Sequence, residues 1–253
     1  MMNEQVVKRM KEMKLYGMVR AFETSLESDT MNTFTKDELI AHLIEEEWDD
    51  RCCRKIARNM QNAKFHYKAS IEQMYFDTER GIDKNQVMRL AECTFIKNKE
   101  NLMMTGSTGI GKSYLASAIG QQACTLGYRV MYHNATKLFA KLKMAKADGS
   151  YINEIAKMER QQLLILDDFG IQPLDAQSRS AFMEIIEDRH EKASTLITSQ
   201  VPIAKWYEVI GEKTIADAIM DRIIHNAHRI ELSGESLRKK YQKKVEINVN
   251  GLK

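Results

Sequence analysis

Several features are scarce in this chain of 253 residues, and each of them excludes some classes of protein. Only two prolines occur, Pro173 and Pro202, so the first hundred residues contain no proline to interrupt a helix. No apolar run approaches the roughly 20 residues that a membrane-spanning helix needs. The N-terminal residues also lack the apolar core of a signal peptide. The sequence therefore predicts a cytoplasmic protein without a membrane span.

Cysteine is scarce as well, and acids and bases are nearly balanced. None of the four cysteines has metal-ligand spacing, and two are adjacent, which predicts reduced thiols in a cytosolic protein: Cys52, Cys53, Cys93 and Cys124. The formal net charge is only +3, although 29% of the residues are charged. Binding partners must therefore be sought in local patches of charge.

The first part of the chain has a helical pattern. Apolar residues recur at helical spacing up to about residue 65. Thr35 with Glu38 three residues later is typical of a capping box at a helix start. The helix that follows carries an apolar stripe: Leu39, Leu43, Ile44 and Trp48. We expect a small all-helical N-terminal domain over residues 1–68 and a linker over about 66–84.

A different pattern follows, with short apolar runs between amphipathic segments. The runs are NLMMT at 101–105, RVMYHN at 129–134, LLILD at 163–167, TLITSQ at 195–200 and RIEL at 229–232. Strands that alternate with helices predict an α/β fold with a parallel sheet. We expect this second domain to span residues 69–253.

The stretch GSTGIGKS at 106–113 fits the phosphate-binding loop pattern, between an apolar run and an amphipathic helix. Its glycines allow backbone amides to crowd a phosphate, and the helix start attracts the anion. Lys112 can neutralise the β- and γ-phosphates, and the Ser113 hydroxyl can bind magnesium. The alternative is a glycine-rich turn with a chance Lys-Ser. We predict nucleotide contacts from nine residues: Gly106, Ser107, Thr108, Gly109, Ile110, Gly111, Lys112, Ser113 and Tyr114.

Two adjacent carboxylates end the most apolar run, QLLILDDFG at 161–169. At the carboxyl end of a buried parallel strand they would lie on the rim where ligands bind. A cation there would relieve their repulsion. We expect Asp167 to hold magnesium beside the phosphate loop and Asp168 to act as the base for the attacking water. The alternative for Asp167 is a helix cap or turn.

With both motifs in hand, the chain resembles the IstB/DnaC-like family of AAA+ ATPases. The similarity covers nearly the whole chain and includes EEEWDDRCCRKIARNMQNAKF, NLMMTGSTGIGKSYLASAIG, LLILDDFG and STLITSQVPIAKW. The segment AIMDRIIHNAHRIELSGESLR separates it from generic phosphate-loop ATPases. The resemblance implies a P-loop fold with a five-stranded parallel sheet, and ATP and Mg²⁺ as cofactors.

The resemblance also implies roles for single residues. Thr198, with Ser199 beside it, lies where such ATPases carry the first sensor. Arg222 matches the arginine finger that reaches a neighbouring subunit's ATP, and Arg238 matches the second sensor. The alternative for Thr198 and Ser199 is an ordinary strand end. The alternative for Arg222 is an ion pair with Asp221 or Asp217, and the alternative for Arg238 is a solvated basic tail. Many relatives carry Glu at position 168, so the reach of the shorter Asp168 is in question. Chain order alone suggests an adenine pocket near Tyr75, Phe76 and Ile82.

Two groups of cations are candidates for DNA contact. One helical face carries Arg51, Arg54, Lys55 and Arg58, with Lys64 and Lys68 downstream. The alternative is a solvated face in which Arg51 pairs with Glu47. The resemblance favours duplex DNA, since this family's helical N-terminal region binds it. A second basic helix carries Lys137, Lys141, Lys143 and Lys146, and its alternative is a charged outer face.

These observations lead to two hypotheses. The first is an ATP-dependent DNA-binding protein that oligomerises on duplex DNA, without strong sequence preference, and recruits a partner transposase. The second is a DnaC-like helicase loader, which shares the ATPase motifs and differs in the use of its N-terminal region. A small-molecule kinase lacks support, because no acceptor-site signature accompanies the loop.

Overall fold

The computed structural model describes residues 2–28, 34–74, 76, 81, 83–234 and 236. It divides the chain into two compact units, Met1–Arg58 and Asn59–Lys253. This division falls inside one long helix, and the domain boundary at residue 68 stays a prediction. No helix in the described ranges is long and apolar enough to cross a membrane.

The N-terminal unit consists of helices α1 (Met2–Glu12), α2 (Tyr16–Glu27) and the first part of α3 (Lys36–Ala63). The helical pattern of the sequence is confirmed, but it does not reveal the break between α1 and α2. At this break Lys14 has a φ of 60°, which a helix cannot continue. The predicted capping box is also confirmed: the Thr35 amide donates to Glu38 at 2.8 Å, and the Glu38 amide donates to Thr35 Oγ1 at 3.3 Å.

Helices α2 and α3 approach closely at Gly17. A Cβ at this position would lie 2.4 Å from the Glu46 carbonyl oxygen and 2.6 Å from Glu47 Cα. Because Gly17 has no side chain, the two helix backbones can lie closer together than they could with any other residue at this position. The predicted apolar stripe is only partly covered, because Ile44 and Trp48 remain 54% and 68% exposed.

The second unit is built on a five-stranded parallel sheet of strand order β2-β3-β4-β1-β5. The strands are β1 (Asn101–Gly106), β2 (Val130–Asn134), β3 (Leu163–Phe169), β4 (Ser194–Ser199) and β5 (Ala227–Leu232). The predicted fold class is confirmed. Because β1 and β3 are both interior strands, their residues are buried on both faces, which explains their uninterrupted apolar runs.

Helices cover both faces of the sheet. One face packs against α4 (Lys84–Ala91), α5 (Thr94–Lys97) and α6 (Lys112–Thr125). The other packs against α7 (Ala135–Asp148), α8 (Tyr151–Glu159), α9 (Ala176–Arg189), α10 (Trp206–Ile210) and α11 (Lys213–Ile224). A short 3₁₀ turn, Ile203–Lys205, precedes α10. On β3, Leu163 and Ile165 face the first layer, while Leu164 and Leu166 face the second. Because β1, β3 and β4 pair in parallel, their carboxyl ends lie along one edge of the sheet.

Candidate functional site

The predicted phosphate loop connects the end of β1 to the start of α6. Three glycines hold it in backbone conformations that other residues rarely adopt: Gly106, Gly109 and Gly111, with φ of 149°, 80° and 103°. A Cβ on Gly106 would lie 2.4 Å from the Leu232 carbonyl oxygen of neighbouring β5. Ile110 is fully buried and anchors the loop in the core. The loop therefore has a fixed shape, with the amino end of a 14-residue helix behind it.

Lys112 is 5% exposed, and its ammonium group turns back onto the loop. Nζ donates to the carbonyl oxygens of Gly106 at 2.7 Å and Ser107 at 2.8 Å. Burial lowers the pKa of Lys112, while the charges of Asp168 and Asp167 act in the opposite direction. The lysine and the two carboxylates therefore share one electrostatic environment, as the motifs predict.

Asp167 is 3% exposed at the end of β3. One of its oxygens accepts a hydrogen bond from the Tyr132 hydroxyl on β2. The other accepts from Thr198 Oγ1 on β4 at 2.5 Å. Burial, and then the contact with Asp167, raises the pKa of Tyr132 and keeps its phenol protonated as a donor. The carboxylate predicted to hold magnesium is thus held in place by both neighbouring strands.

Asp168 lies on a β-bulge. The pairing of β3 with β4 is regular up to Leu166 and then shifts by one residue before Phe169. Asp168 occupies the irregular position with a φ of 58°. Its amide donates to Thr198 Oγ1 at 3.0 Å, and Asn134 Nδ2 lies 3.4 Å from its carboxylate. The bulge turns the half-buried second carboxylate away from the strand, where it can meet a ligand.

Residues at the ends of β2 and β4 complete the site, and sequence reasoning missed three of them. These are Tyr132 and Asn134, described above, and Gln200, whose side-chain oxygen accepts from Thr108 Oγ1 at 2.5 Å. The sequence signal that could have identified them is the polar residues at or after the ends of the apolar runs that form β2 and β4, the two strands next to β3. Thr198 is fully buried beneath the acids and contacts both, whereas Ser199 donates to the Phe169 carbonyl at 2.7 Å and stabilises the local turn.

The donors at this edge fit magnesium bound together with a triphosphate. Within the described ranges, no group of three His, Cys, Asp or Glu side chains could hold a metal ion. The Ser113 hydroxyl and the Asp167 carboxylate are hard oxygen donors, and each carboxylate oxygen retains a lone pair beyond its protein contact. Magnesium typically takes one or two protein oxygens and fills its other positions with phosphate oxygens and water.

Arg222 lies at the opposite end of the sheet. The Arg222 carbonyl oxygen is 3.4 Å from Asn101 Nδ2 at the start of β1, whereas the loop follows the end of that strand. Five strand residues at roughly 3.3 Å each separate these points by about 16 Å. The guanidinium donates to the Ala218 carbonyl at 3.0 Å and lies 3.3 Å from Glu187, instead of pairing with Asp221 or Asp217.

Of five further predicted residues, the structure describes only Phe76 and Tyr114. Arg238, Tyr75 and Ile82 lie outside the described residues. Phe76 packs against the core on the α6 side of the sheet, with Lys84 Nζ 5.9 Å from its ring centroid. The Tyr114 ring, just inside α6, lies 6.3 Å from the Tyr67 ring.

The predicted cationic face of α3 forms one wall of a groove within the N-terminal unit. This groove has a volume of about 380 Å³ and is lined by Met13, Lys14, Arg51, Arg54, Lys55 and Arg58. Lys14, which the sequence reasoning missed, enters through the break between α1 and α2. The groove therefore combines five cations and one apolar side chain.

Two buried acids of α3 position the cations on this groove. Glu47 accepts from the amides of Gly17 at 2.8 Å and Met18 at 3.3 Å, and from Arg51 Nε at 2.7 Å. Burial alone would raise the pKa of Glu47, but these hydrogen bonds hold it below its usual value. Asp50 pairs with Arg20 at 2.5 Å and with Arg54 at 2.6 Å. The predicted alternative, a Glu47–Arg51 pair, is confirmed. The side chains of Arg51 and Arg54 nevertheless remain about half exposed.

The second basic helix, α7, is largely engaged with acids of its own unit. Lys141 pairs with Glu154, and Lys143 pairs with Asp175. Lys146 lies over the Tyr151 ring at 4.7 Å from its centroid. Lys137 is exposed, and no ion pair to it occurs in the part of the chain that the structure describes. On each basic helix two of the four predicted cations are therefore paired with acids: Lys141 and Lys143 on α7, and Arg51 and Arg54 on α3.

The sheet order, the glycine loop before α6 and the acid pair on β3 define a P-loop protein of the AAA+ class. In keeping with this, the crystal structure of the DnaC helicase loader superposes with a TM-score of 0.55 at 19% identity, over 68% of this chain and all of that chain. At this identity the likeness concerns the fold alone.

Sequence comparison assigns the chain more narrowly. The family model described as IstB-like ATP binding protein matches residues 8–245. An insertion sequence ATP-binding protein of Sinorhizobium fredii is 42% identical over 236 residues, 93% of this chain and 96% of the relative. An IS21 ATP-binding protein of Pseudomonas aeruginosa is 31% identical over 225 residues, 89% of this chain and 85% of the relative. The chain belongs to the IstB-like ATP-binding protein family.

Proposed function

We propose that the protein is a magnesium-dependent ATPase that assembles on duplex DNA and regulates a partner transposase in insertion-sequence transposition. The observation that carries the ATPase proposal is the shared environment of Lys112, Asp167 and Asp168 at the mouth of a rigid glycine loop. Membership in a family whose relatives are named insertion sequence ATP-binding proteins supports the transposition context.

In this proposal the loop binds the triphosphate through its amides and the amino end of α6. Lys112 exchanges its two carbonyl contacts for the β- and γ-phosphates. Ser113 and Asp167 hold magnesium, which neutralises charge on the phosphates when it is bound. Asp168, which the bulge directs outward, accepts a proton from the water that attacks the γ-phosphate.

In the proposal, Thr198 holds the two acids in position for this chemistry. Its hydroxyl donates to Asp167 and accepts from the Asp168 amide, so one side chain fixes the spacing of the two acids. Gln200 and Thr108 connect the phosphate loop to the end of β4. A change at the γ-phosphate can therefore be transmitted between these two segments. Arg238 remains our proposed second sensor.

We propose that Arg222 completes the site of a neighbouring subunit. Its position about 16 Å along the sheet from its own loop supports action in trans. Each nucleotide would then lie at a subunit interface and favour assembly. In the chain we assign DNA contact to residues 1–68 and the ATPase to residues 69–253.

We assign duplex binding mainly to the α3 groove, since its cations project from a platform fixed by Glu47 and Asp50. Lys137 and Lys141 are further proposed contacts, although Lys141 must exchange its pairing with Glu154. Phosphate contacts of this kind carry no base readout, so affinity should vary little with sequence and fall steeply with salt.

Two measurements test the proposal. Equilibrium dialysis with labelled ATP should show retention that requires magnesium and is lost in Lys112→Ala; the absence of retention in the wild-type chain rules out the ATPase. Analytical gel filtration with duplex DNA should show a large complex with ATP and a smaller one without it. A chain that stays monomeric with both ligands refutes the assembly. A strong preference for single strands would instead favour a helicase loader.

A further inference from the structure

The chain segment that follows α3 packs against the helix behind the phosphate loop. Lys64 has a φ of 56°, which ends α3 after Ala63 and turns the chain. We refer to residues 63–67, which make this turn, as the α3 tail. The Tyr67 carbonyl accepts a hydrogen bond from Gln121 Nε2 on α6 at 2.7 Å. All of these residues belong to the second unit, which also carries the candidate site.

Phe65 in the α3 tail occupies a position that α6 keeps clear. Gly120 lies inside α6, where glycine is unfavourable compared with alanine. A Cβ on Gly120 would lie 2.5 Å from Cε1 of Phe65 and 2.7 Å from Cδ1 of Ile165 on β3. Because Gly120 has no side chain, the Phe65 ring can reach the backbone of α6. This close contact fixes the position of the ring.

The Phe65 ring also packs against the tyrosine that binds the predicted magnesium carboxylate. The rings of Phe65 and Tyr132 meet edge to face, with centroids 6.3 Å apart and planes inclined by 66°. The Tyr132 hydroxyl donates to Asp167. Because this hydroxyl lies on the long axis of its ring, a contact that fixes the ring also fixes the direction of the hydrogen bond. Only Tyr132 therefore separates Phe65 from the predicted magnesium carboxylate.

A second aromatic residue of the α3 tail lies near the other predicted magnesium donor. The Tyr67 ring is 6.3 Å from the ring of Tyr114, which directly follows Ser113 in the chain. The tail thus has one aromatic side chain near each of the two predicted donors. Neither the proposed ATPase chemistry nor the proposed DNA contacts give a role to Phe65.

We propose that Phe65 is a positioning residue for the magnesium site, which holds the Tyr132 ring so that its hydroxyl orients Asp167. This role rests on the proposed function, in which Asp167 holds magnesium beside the triphosphate. Thr198 donates to the other oxygen of Asp167 from β4. Loss of the Phe65 ring therefore leaves the carboxylate with one firm anchor, about which it can turn. We expect magnesium to bind more weakly, while the phosphate loop keeps its shape.

Magnesium titration of ATP retention in the full-length chain tests this role. Phe65→Leu keeps an apolar side chain but removes the ring. Changing a residue that contacts a metal ligand directly typically lowers metal affinity by about 10–100-fold. Because Phe65 acts through Tyr132, we expect a smaller effect: the half-saturating magnesium concentration, measured by equilibrium dialysis with labelled ATP, should rise about fivefold.

Phe95→Leu is the matched control. Phe95 is 1% exposed in the same core, and its ring packs against His228. Both variants should unfold at a lower temperature than the wild type, but only Phe65→Leu should require more magnesium. An equal increase in both variants would mean a general loss of packing and would overturn the proposal. An unchanged magnesium requirement in Phe65→Leu would overturn it as well.

A double-mutant cycle tests whether Phe65 acts through the Tyr132 hydroxyl. Tyr132→Phe removes the hydroxyl and keeps the ring. In this background Phe65→Leu should leave the half-saturating magnesium concentration unchanged, because the hydrogen bond that it controls is already absent. A further increase of similar size would refute the proposed route.

Gly120→Ala alters the same contact from the opposite side. Its Cβ would displace the Phe65 ring without removing it, so this variant should also require more magnesium than the wild type. A wild-type requirement would contradict the role of the ring. If the wild-type chain itself shows no magnesium-dependent retention, the ATPase proposal fails. A magnesium-dependent wild type with an unaffected Phe65→Leu variant refutes only the role of Phe65.

Discussion

The position of Arg222 leads to a prediction about shared active sites. Its backbone lies beside the start of β1, and the phosphate loop begins after the end of that strand, about 16 Å away. One arginine side chain cannot span this distance within its own subunit. Arg222→Ala should therefore leave the nucleotide affinity of a monomer unchanged and reduce turnover by about a thousandfold or more, the usual effect of losing an arginine finger.

Mixing two inactive variants tests this geometry directly. Lys112→Ala removes the phosphate site but keeps Arg222, and Arg222→Ala keeps the phosphate site but removes the finger. If interfaces form at random in an equal mixture, about a quarter of them combine an intact site with an intact finger from the next subunit. We expect the mixture to hydrolyse ATP, on saturating duplex DNA, at about a quarter of the wild-type rate.

If the mixture shows only the sum of the two residual activities, although both variants enter one assembly, Arg222 does not act in trans. Co-sedimentation of differently labelled variants supplies the control for mixing. An Arg222→Ala variant with wild-type turnover would show that another residue provides the charge.

Three further predictions concern single side chains. Tyr132→Phe removes a hydroxyl that donates to buried Asp167, so it should lower the free energy of unfolding by about 1.5–3 kcal/mol and weaken magnesium-dependent ATP retention. The control Tyr128→Phe, in the same core, should change neither quantity. If the two variants have equal effects in thermal unfolding and in dialysis, this role of Tyr132 is contradicted. Arg58→Ala should reduce the slope of log affinity against log salt by about one, measured by fluorescence anisotropy on two unrelated duplexes; a loss on only one duplex would indicate base readout. Gly17→Ala should destabilise the N-terminal unit by about 1–3 kcal/mol in urea unfolding, because its Cβ would meet the backbone of α3 at 2.4 Å; an unchanged midpoint would show that the helices can separate.

The sequence was sufficient to predict the class of fold and the position of the glycine loop and the acid pair of the candidate site. The phosphate loop is local in the chain, so GSTGIGKS identifies it without tertiary information. The apolar runs located all five strands, although β3 extends to Phe169 and β5 begins at Ala227, slightly beyond the predicted runs. These features depend on burial and periodicity, which a single sequence records well.

Features that depend on contacts between distant residues were not predictable. Nothing near Tyr132 indicates that its hydroxyl reaches a carboxylate 35 residues later. Likewise, Glu47 and Asp50 resemble members of a solvated acidic run, yet they are buried because they bind α2, some 30 residues earlier. The break at Lys14 also escaped prediction, since lysine is a good helix former.

The bulge on β3 gives a new reason for an aspartate at position 168. A φ of 58° is a conformation that aspartate and asparagine adopt more readily than longer side chains do. A glutamate there would gain length but would strain the backbone by about 1 kcal/mol, so Asp168→Glu should melt earlier than Asp168→Asn. At this position the direction of the carboxylate is therefore set by the backbone of the bulge as well as by the length of the side chain.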